Sequence, residues 1–318
     1  MLEESYKPHP LLRNAHINTL YPALFRNPNF EYTERVRMNT EDNDFIDIDL
    51  KVKGSKKAVI LLHGFEGSSR SQYILGVADH LYSKGFDIIA PNHRSCSGEV
   101  NRKASFYHSG FTQDLELVLH HYSPRYEEIY IVGYSLGGNI TLKYLGDGIY
   151  TPPKNLKAAV AISVPMDLAS SAKKLCSREN SLYAFNFLRS LRKKLEIKAA
   201  HHPNTIKLEL WPKVKNLRDF DDYYTAPLHG LVDSNDYYRY ASSKPFLKSI
   251  LVNTMVLGSI DDPFLTPACF PSSMEFENNP RVTLNYSRHG GHVGYARFIS
   301  GPSWADIQVG AFFDQFDR

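Results

Sequence analysis

One short stretch limits the folds open to this chain more than any other. The apolar run Ile129–Val132 passes directly into Gly133-Tyr-Ser135-Leu-Gly137-Gly138, and a helix-like pattern follows over Asn139–Leu145. This is Gly-x-Ser-x-Gly set between a strand and a helix. A serine at such a turn is held in a strained conformation, with its hydroxyl projecting from the carboxyl edge of a sheet. The glycines two residues to either side let strand and helix approach closely. The N-terminus of the helix that follows offers backbone N–H groups to developing negative charge. The plain alternative is an ordinary serine in a glycine-rich turn, and the flanking elements weigh against it.

The rest of the chain supplies a sheet for that turn. Short apolar runs occur at 58–62, 86–90, 129–132, 158–162 and 250–257, and a further strand is expected at 281–286. Runs of this kind mark parallel strands covered on both faces. Residues 45–52 instead alternate apolar and polar, which predicts a half-buried antiparallel strand. Helical stripes fall between the runs: Ile74, Val77, Ala78 and Leu81; then Leu115, Val118 and Leu119; then Ile140 and Tyr144; finally Ile307, Phe312 and Phe316. The alternation predicts an α/β fold with a mostly parallel, doubly wound sheet. Residues 163–248 break the rhythm. The expected organisation is therefore a core of residues 1–162 and 249–318, with 163–248 inserted over the sheet as a mainly helical cap. A chain of 318 residues buries such a core without disulfide staples.

A serine alone is a weak nucleophile and needs a base and an orienting acid. In a sheet of this type they follow in the order acid, then histidine, each after a strand. The run 250–257 is followed by Gly258-Ser-Ile-Asp261-Asp262-Pro263, and 281–286 by Ser287-Arg-His289-Gly-Gly-His292. All three groups thus fall at carboxyl ends of expected parallel strands, where such sheets place their sites. Asp261 is preferred over Asp262 because it sits at the strand exit, whereas Pro263 restricts Asp262 to extended conformations. His292 is preferred over His289 because the two preceding glycines let its loop reach back. Phe65, in the loop His63-Gly64-Phe65-Glu66-Gly67, and Leu136, next to the serine, are the expected backbone donors to an oxyanion. His63 itself reads as structural. A metal site at His289 and His292 has no thiolate or carboxylate at ligand spacing to support it.

Several stretches together resemble the α/β-hydrolase superfamily, and within it the YheT-like branch, which includes membrane-associated eukaryotic lipases. They are Asn14–Arg26, Asn92–Gly98, Tyr107–Gly110 with Asp114, Asp236–Tyr238 with Ala241–Ser243, Asp261–Phe264 and Gly290–Gly294. Ser95 departs from the glycine usual in that family. The resemblance runs from about residue 8 to the end of the chain. It implies a Ser135–Asp261–His292 triad and hydrolysis of carboxylic esters, lipid esters included; nothing in the residues requires a metal or organic cofactor.

Composition narrows the alternatives. The formal charge of +3 from 37 Lys+Arg and 34 Asp+Glu is too small to suggest a nucleic-acid partner. Three scattered cysteines, Cys96, Cys176 and Cys269, fit free thiols in a reducing compartment. The polar start and the absence of a 20-residue apolar run lead to the expectation of a cytoplasmic protein. In Asn186–Lys198, Phe187, Leu188, Leu191 and Leu195 share a face, while Arg189, Arg192, Lys193, Lys194 and Lys198 crowd the remainder. The favoured reading is a cap helix whose Phe187 and Leu191 face an acyl substrate. The other is an amphipathic helix making peripheral contact with membrane lipids. Asp219, Asp221 and Asp222 read as a solvated or structural loop in preference to a cation site. The expected partner is a small acyl ester. Thioester cleavage or acyl transfer on the same triad, and a non-catalytic ligand-binding role on the same fold, stay open as alternatives.

Overall fold

The computed structural model describes residues 6–297 and 301–316. Eight strands form one sheet: β1 (Glu34–Asn39), β2 (Phe45–Lys51), β3 (Lys57–Leu62), β4 (Asp87–Pro91), β5 (Glu128–Tyr134), β6 (Leu156–Ile162), β7 (Asn253–Ser259) and β8 (Val282–Ser287), in the order β1-β2-β4-β3-β5-β6-β7-β8. β2 runs antiparallel to both β1 and β4, and every later pairing is parallel. The expected run at 250–257 begins as strand only at Asn253.

Side chains alternate across this sheet and feed two apolar layers. From β3, Ile60 and Leu62 enter one layer, with residues of α3 (Gln113–Tyr122) and α4 (Leu136–Gly146). Val59 and Leu61 enter the other, against α2 (Gln72–Ser83) and the C-terminal helix Trp304–Phe313. The sheet is therefore doubly wound, as its continuous apolar runs require.

Two elements depart from the sequence expectation. Helix α1 (Ala15–Phe25) begins at Asn14, whose side chain accepts from the His16 and Ile17 amides as an N-cap. β1 carries little apolar signal because charge holds it in place. Arg35 pairs through two N–H groups with Asp49, and Arg37 does the same with Asp47, across the antiparallel pair.

Between β6 and β7 the chain forms α5 (Leu168–Leu175), α6 (Ser181–His201), two short turns α7 (Leu217–Phe220) and α8 (Ala226–Leu228), and α9 (Ser234–Ala241). Leu191, Leu195, Leu217, Phe220 and Tyr224 make a separate apolar cluster here, joined by Phe106 from the loop after β4. Among the described residues, no helix is long and apolar enough to cross a membrane.

Candidate active site

Ser135 stands between β5 and α4 with φ 51° and ψ −115°, a region that residues with a Cβ rarely occupy. The surroundings require that turn. A Cβ on Gly137 would lie 2.5 Å from the Leu62 carbonyl oxygen and 2.7 Å from that of His63. One on Gly133 would collide with the Gly137 carbonyl. The Ser135 amide donates to the Ile162 carbonyl at 2.8 Å, so the strained residue is tied to the end of β6.

Ser135 Oγ lies 2.9 Å from His292 Nε2. On the other side of that ring, Nδ1 lies 2.8 Å and 3.1 Å from the two carboxylate oxygens of Asp262. With Nδ1–H donating to the carboxylate, Nε2 is left to accept from the serine hydroxyl. The Asp262 side chain is fully buried and accepts a further hydrogen bond from the Phe264 amide at 2.8 Å. Burial raises its pKa, against the opposing pull of His292.

The preference for Asp261 is thereby corrected. Asp261 Oδ2 lies 3.1 Å from His289 Nδ1, and its Oδ1 accepts from the Gly291 amide at 3.0 Å. It braces the base of the histidine loop and does not touch His292. The reason is a turn. The Asp262 amide donates back to Ser259 at 3.2 Å, so consecutive side chains leave this turn in different directions. Pro263, read from sequence as a handicap, restricts the residue that faces the imidazole.

The His292 loop is positioned by contacts that local sequence pattern does not reveal. The His292 amide donates to Thr19 Oγ1 on α1 at 2.9 Å, and Val293 donates to Ser163 Oγ at 3.1 Å. Gly291, at φ +59°, has no space for a side chain: a Cβ would sit 2.5 Å from the Ala15 carbonyl oxygen. The Phe264 ring packs on the imidazole at 4.3 Å. His63, as expected, is structural. Its ring is buried, with Nδ1 bonded to the Gly64 carbonyl at 2.8 Å and Nε2 accepting from the His93 amide at 3.0 Å.

Ser135 and His292 open into a cavity of about 370 Å³. Its wall includes Thr19, Leu20 and Ala23 of α1, Leu168 of α5, and Leu217, Phe220 and Asp221. Phe65, Leu136 and Phe187 are all on its wall. Leu191 is not. It lies one helical turn beyond Phe187, buried in the apolar cluster with Leu217 and Phe220, and so it packs α6 instead of lining the cavity. The basic side of α6 is also divided: Arg189, Arg192 and Lys193 are exposed, whereas Lys194 turns inward and Lys198 is buried. Of the solvated and structural readings of the acidic cluster, Asp221 fits the structural one. It lines the cavity and accepts from Tyr238 Oη at 2.8 Å, and burial pushes its pKa up to about 7.

A sequence model of the alpha/beta hydrolase fold matches residues 57–295, most of the chain. The chain belongs to the α/β-hydrolase family. Within that family it is 32% identical to YheT of Escherichia coli (strain K12), a protein that carries an esterase name, over 291 residues covering 89% of this chain and 84% of YheT. This places it in the YheT-like branch. It is 28% identical to the human phospholipase ABHD3 over 285 residues, covering 87% of this chain and 68% of that protein. Among solved structures, an esterase of Pyrococcus furiosus, Pf2001, superposes with a TM-score of 0.59 at 17% identity, covering 98% of this α/β-hydrolase and 99% of that chain. Its relatives place this α/β-hydrolase among the carboxylic ester hydrolases.

Proposed function

We propose that this α/β-hydrolase cleaves carboxylic esters, lipid acyl esters among them, through an acyl-enzyme on Ser135. The observation that carries the reading is the unbroken hydrogen-bonded line from Ser135 Oγ through His292 to the buried Asp262, at 2.9 Å and 2.8 Å. His292 Nε2 takes the serine proton as Oγ attacks the acyl carbonyl, then returns it to the departing alcohol. Asp262 holds the tautomer and stabilises the imidazolium. Water, activated by the same histidine, then releases the acid.

Phe65 and Leu136 are the proposed oxyanion donors. Leu136 begins α4, where backbone N–H groups lack partners inside the helix. The Phe65 loop can approach because residue 64 is glycine, whose added Cβ would stand 3.2 Å from Ser135 Cβ. On either side of Phe65 the amides are engaged, Gly64 with Tyr73 Oη at 3.0 Å and Glu66 with Tyr107 Oη at 2.7 Å.

Residues 163–248 act in this reading as a cap on a core of 1–162 and 249–318. Its helices supply Leu168, Phe187, Leu217 and Phe220 to the cavity wall, which supports an apolar acyl chain as the occupant. The ABHD3 name adds the phospholipid class to the substrates worth testing. The direct test is a series of p-nitrophenyl esters of increasing acyl length, with Ser135→Ala as control. Turnover should favour chains long enough to fill the cavity, and Ser135→Ala should lower it by roughly 10⁴ or more. Undiminished hydrolysis in the variant would overturn the reading.

A further inference from the structure

We propose that Glu66 and Lys194 are a positioning pair through which helix α6 fixes the orientation of the Phe65 amide at the Ser135 site. The proposal rests on the assignment of that amide as an oxyanion donor. Glu66 follows Phe65 directly and sits at φ 55°, a left-handed conformation that a residue with a Cβ keeps only when its surroundings hold it. Those surroundings are specific. The Glu66 amide donates to Tyr107 Oη at 2.7 Å. Its carboxylate accepts from the same Tyr107 Oη at 3.0 Å, from Ser190 Oγ at 2.5 Å and from Lys194 Nζ at 2.8 Å. The Glu66 side chain is 5% exposed and that of Lys194 is 16% exposed, so the pair lies largely out of solvent.

Two of these donors belong to α6, on the stripe that carries Phe187. Positions 187, 190 and 194 are spaced i, i+3 and i+7 and share one helix face. Phe187 meets the Phe65 ring edge-on, with centroids 5.2 Å apart. The helix that lines the acyl cavity thus grips the loop at Phe65 and at Glu66. A buried ion pair adds little net stability over an apolar replacement. Its distinctive consequence here is geometric, since a peptide N–H aimed wrongly by a fraction of an ångström stabilises an oxyanion poorly.

The test uses Lys194→Met and Glu66→Gln, with Lys194→Arg as the conservative rescue and Ser190→Ala as a milder variant should the first two fold poorly. An acyl trifluoromethyl ketone with a ¹³C carbonyl is the probe. Ser135 Oγ bonds to the ketone carbon, its proton passes to His292, and the ketone oxygen becomes the oxyanion, whose titration is read by NMR. In wild type the adduct oxygen should ionise at a lower pH than in free solution. Lys194→Met and Glu66→Gln should each lower kcat by roughly 10- to 100-fold with KM little changed, weaken the ketone by a similar factor, and lose the ionisation shift. Lys194→Arg should recover most of the loss, and Ser190→Ala should show a smaller loss of kcat at unchanged Tm. Wild-type kcat and ketone affinity in Lys194→Met and Glu66→Gln, or in Ser190→Ala if neither of those folds, would overturn the pairing while leaving the oxyanion hole in place. A wild-type adduct oxygen that titrates as in free solution would overturn the oxyanion assignment and this proposal with it.

Discussion

Asp261 and Asp262 are neighbours with different partners: one braces the histidine loop through His289 and Gly291, the other meets His292. The catalytic reading therefore makes unequal demands on them. Asp262→Asn keeps the shape but leaves the imidazole in the wrong tautomer, and kcat should fall by roughly 10⁴. Asp261→Asn should act through loop position and cost far less. Steady-state kinetics on the two variants check this, and a larger loss in Asp261→Asn would contradict it. The sequence made the neighbourhood legible, because Ser135, the Asp pair and His292 all follow strand-like runs. It could not resolve which aspartate faces the ring, since that depends on the turn from Ser259 to Asp262. Thr19 lies in the Asn14–Arg26 stretch that carries the family resemblance, but its contact to the His292 loop was not legible, because it spans most of the chain.

At the scale of the element, α6 shows how far an amphipathic pattern carries. The apolar stripe is readable, with Leu191 and Leu195 buried and Phe187 and Leu188 half-buried, but the stripe does not say where a cavity ends. Phe187 reaches it and Leu191 falls one turn beyond. Phe187→Ala should shift the optimum toward bulkier or longer acyl groups while Ser135 still reacts with a small fluorophosphonate. Leu191→Ala should leave chain-length preference unchanged and lower stability by about 2–5 kcal/mol through the cavity it opens. An ester series and thermal melts separate the two outcomes; the reverse pattern would mean the helix is turned differently over the site. Lys194 and Lys198 read as members of a solvated basic face because lysine is almost always exposed. Only the positions of the Glu66 carboxylate and of the Lys103 and Ser105 carbonyls reveal that both point inward.

For the molecule as a whole, the sheet order puts β5, β7 and β8 on one side of a mostly parallel array, so the residues after their carboxyl ends meet over a single edge. The strand-like runs place all three groups at carboxyl ends of parallel strands, but do not reveal the order of those strands in the sheet. The polar edge strand β1 was not legible, because ion pairs to β2 stand where apolar periodicity would. The same assembly makes folding stability depend on pH through Asp221. Its pKa is raised to about 7 in the fold by burial, with Asp222 adding, whereas an unfolded aspartate titrates near 3.9. Between those values the folded chain holds a proton that the unfolded chain has lost, so stability should fall as pH rises from about 4 to about 7 and then level off. Asp221→Asn should flatten that part of the pH–Tm curve; an unchanged slope would remove Asp221 as its source. If Ser135 carries the acyl group between two half-reactions, quenching turnover of a p-nitrophenyl ester with acid in the pre-steady state and mapping the protein by mass spectrometry should catch it there. The expected result is an adduct of the acyl mass on Ser135, formed with a burst of p-nitrophenol and absent from Ser135→Ala; steady hydrolysis with no burst and no adduct on Ser135 would rule out the acyl-enzyme.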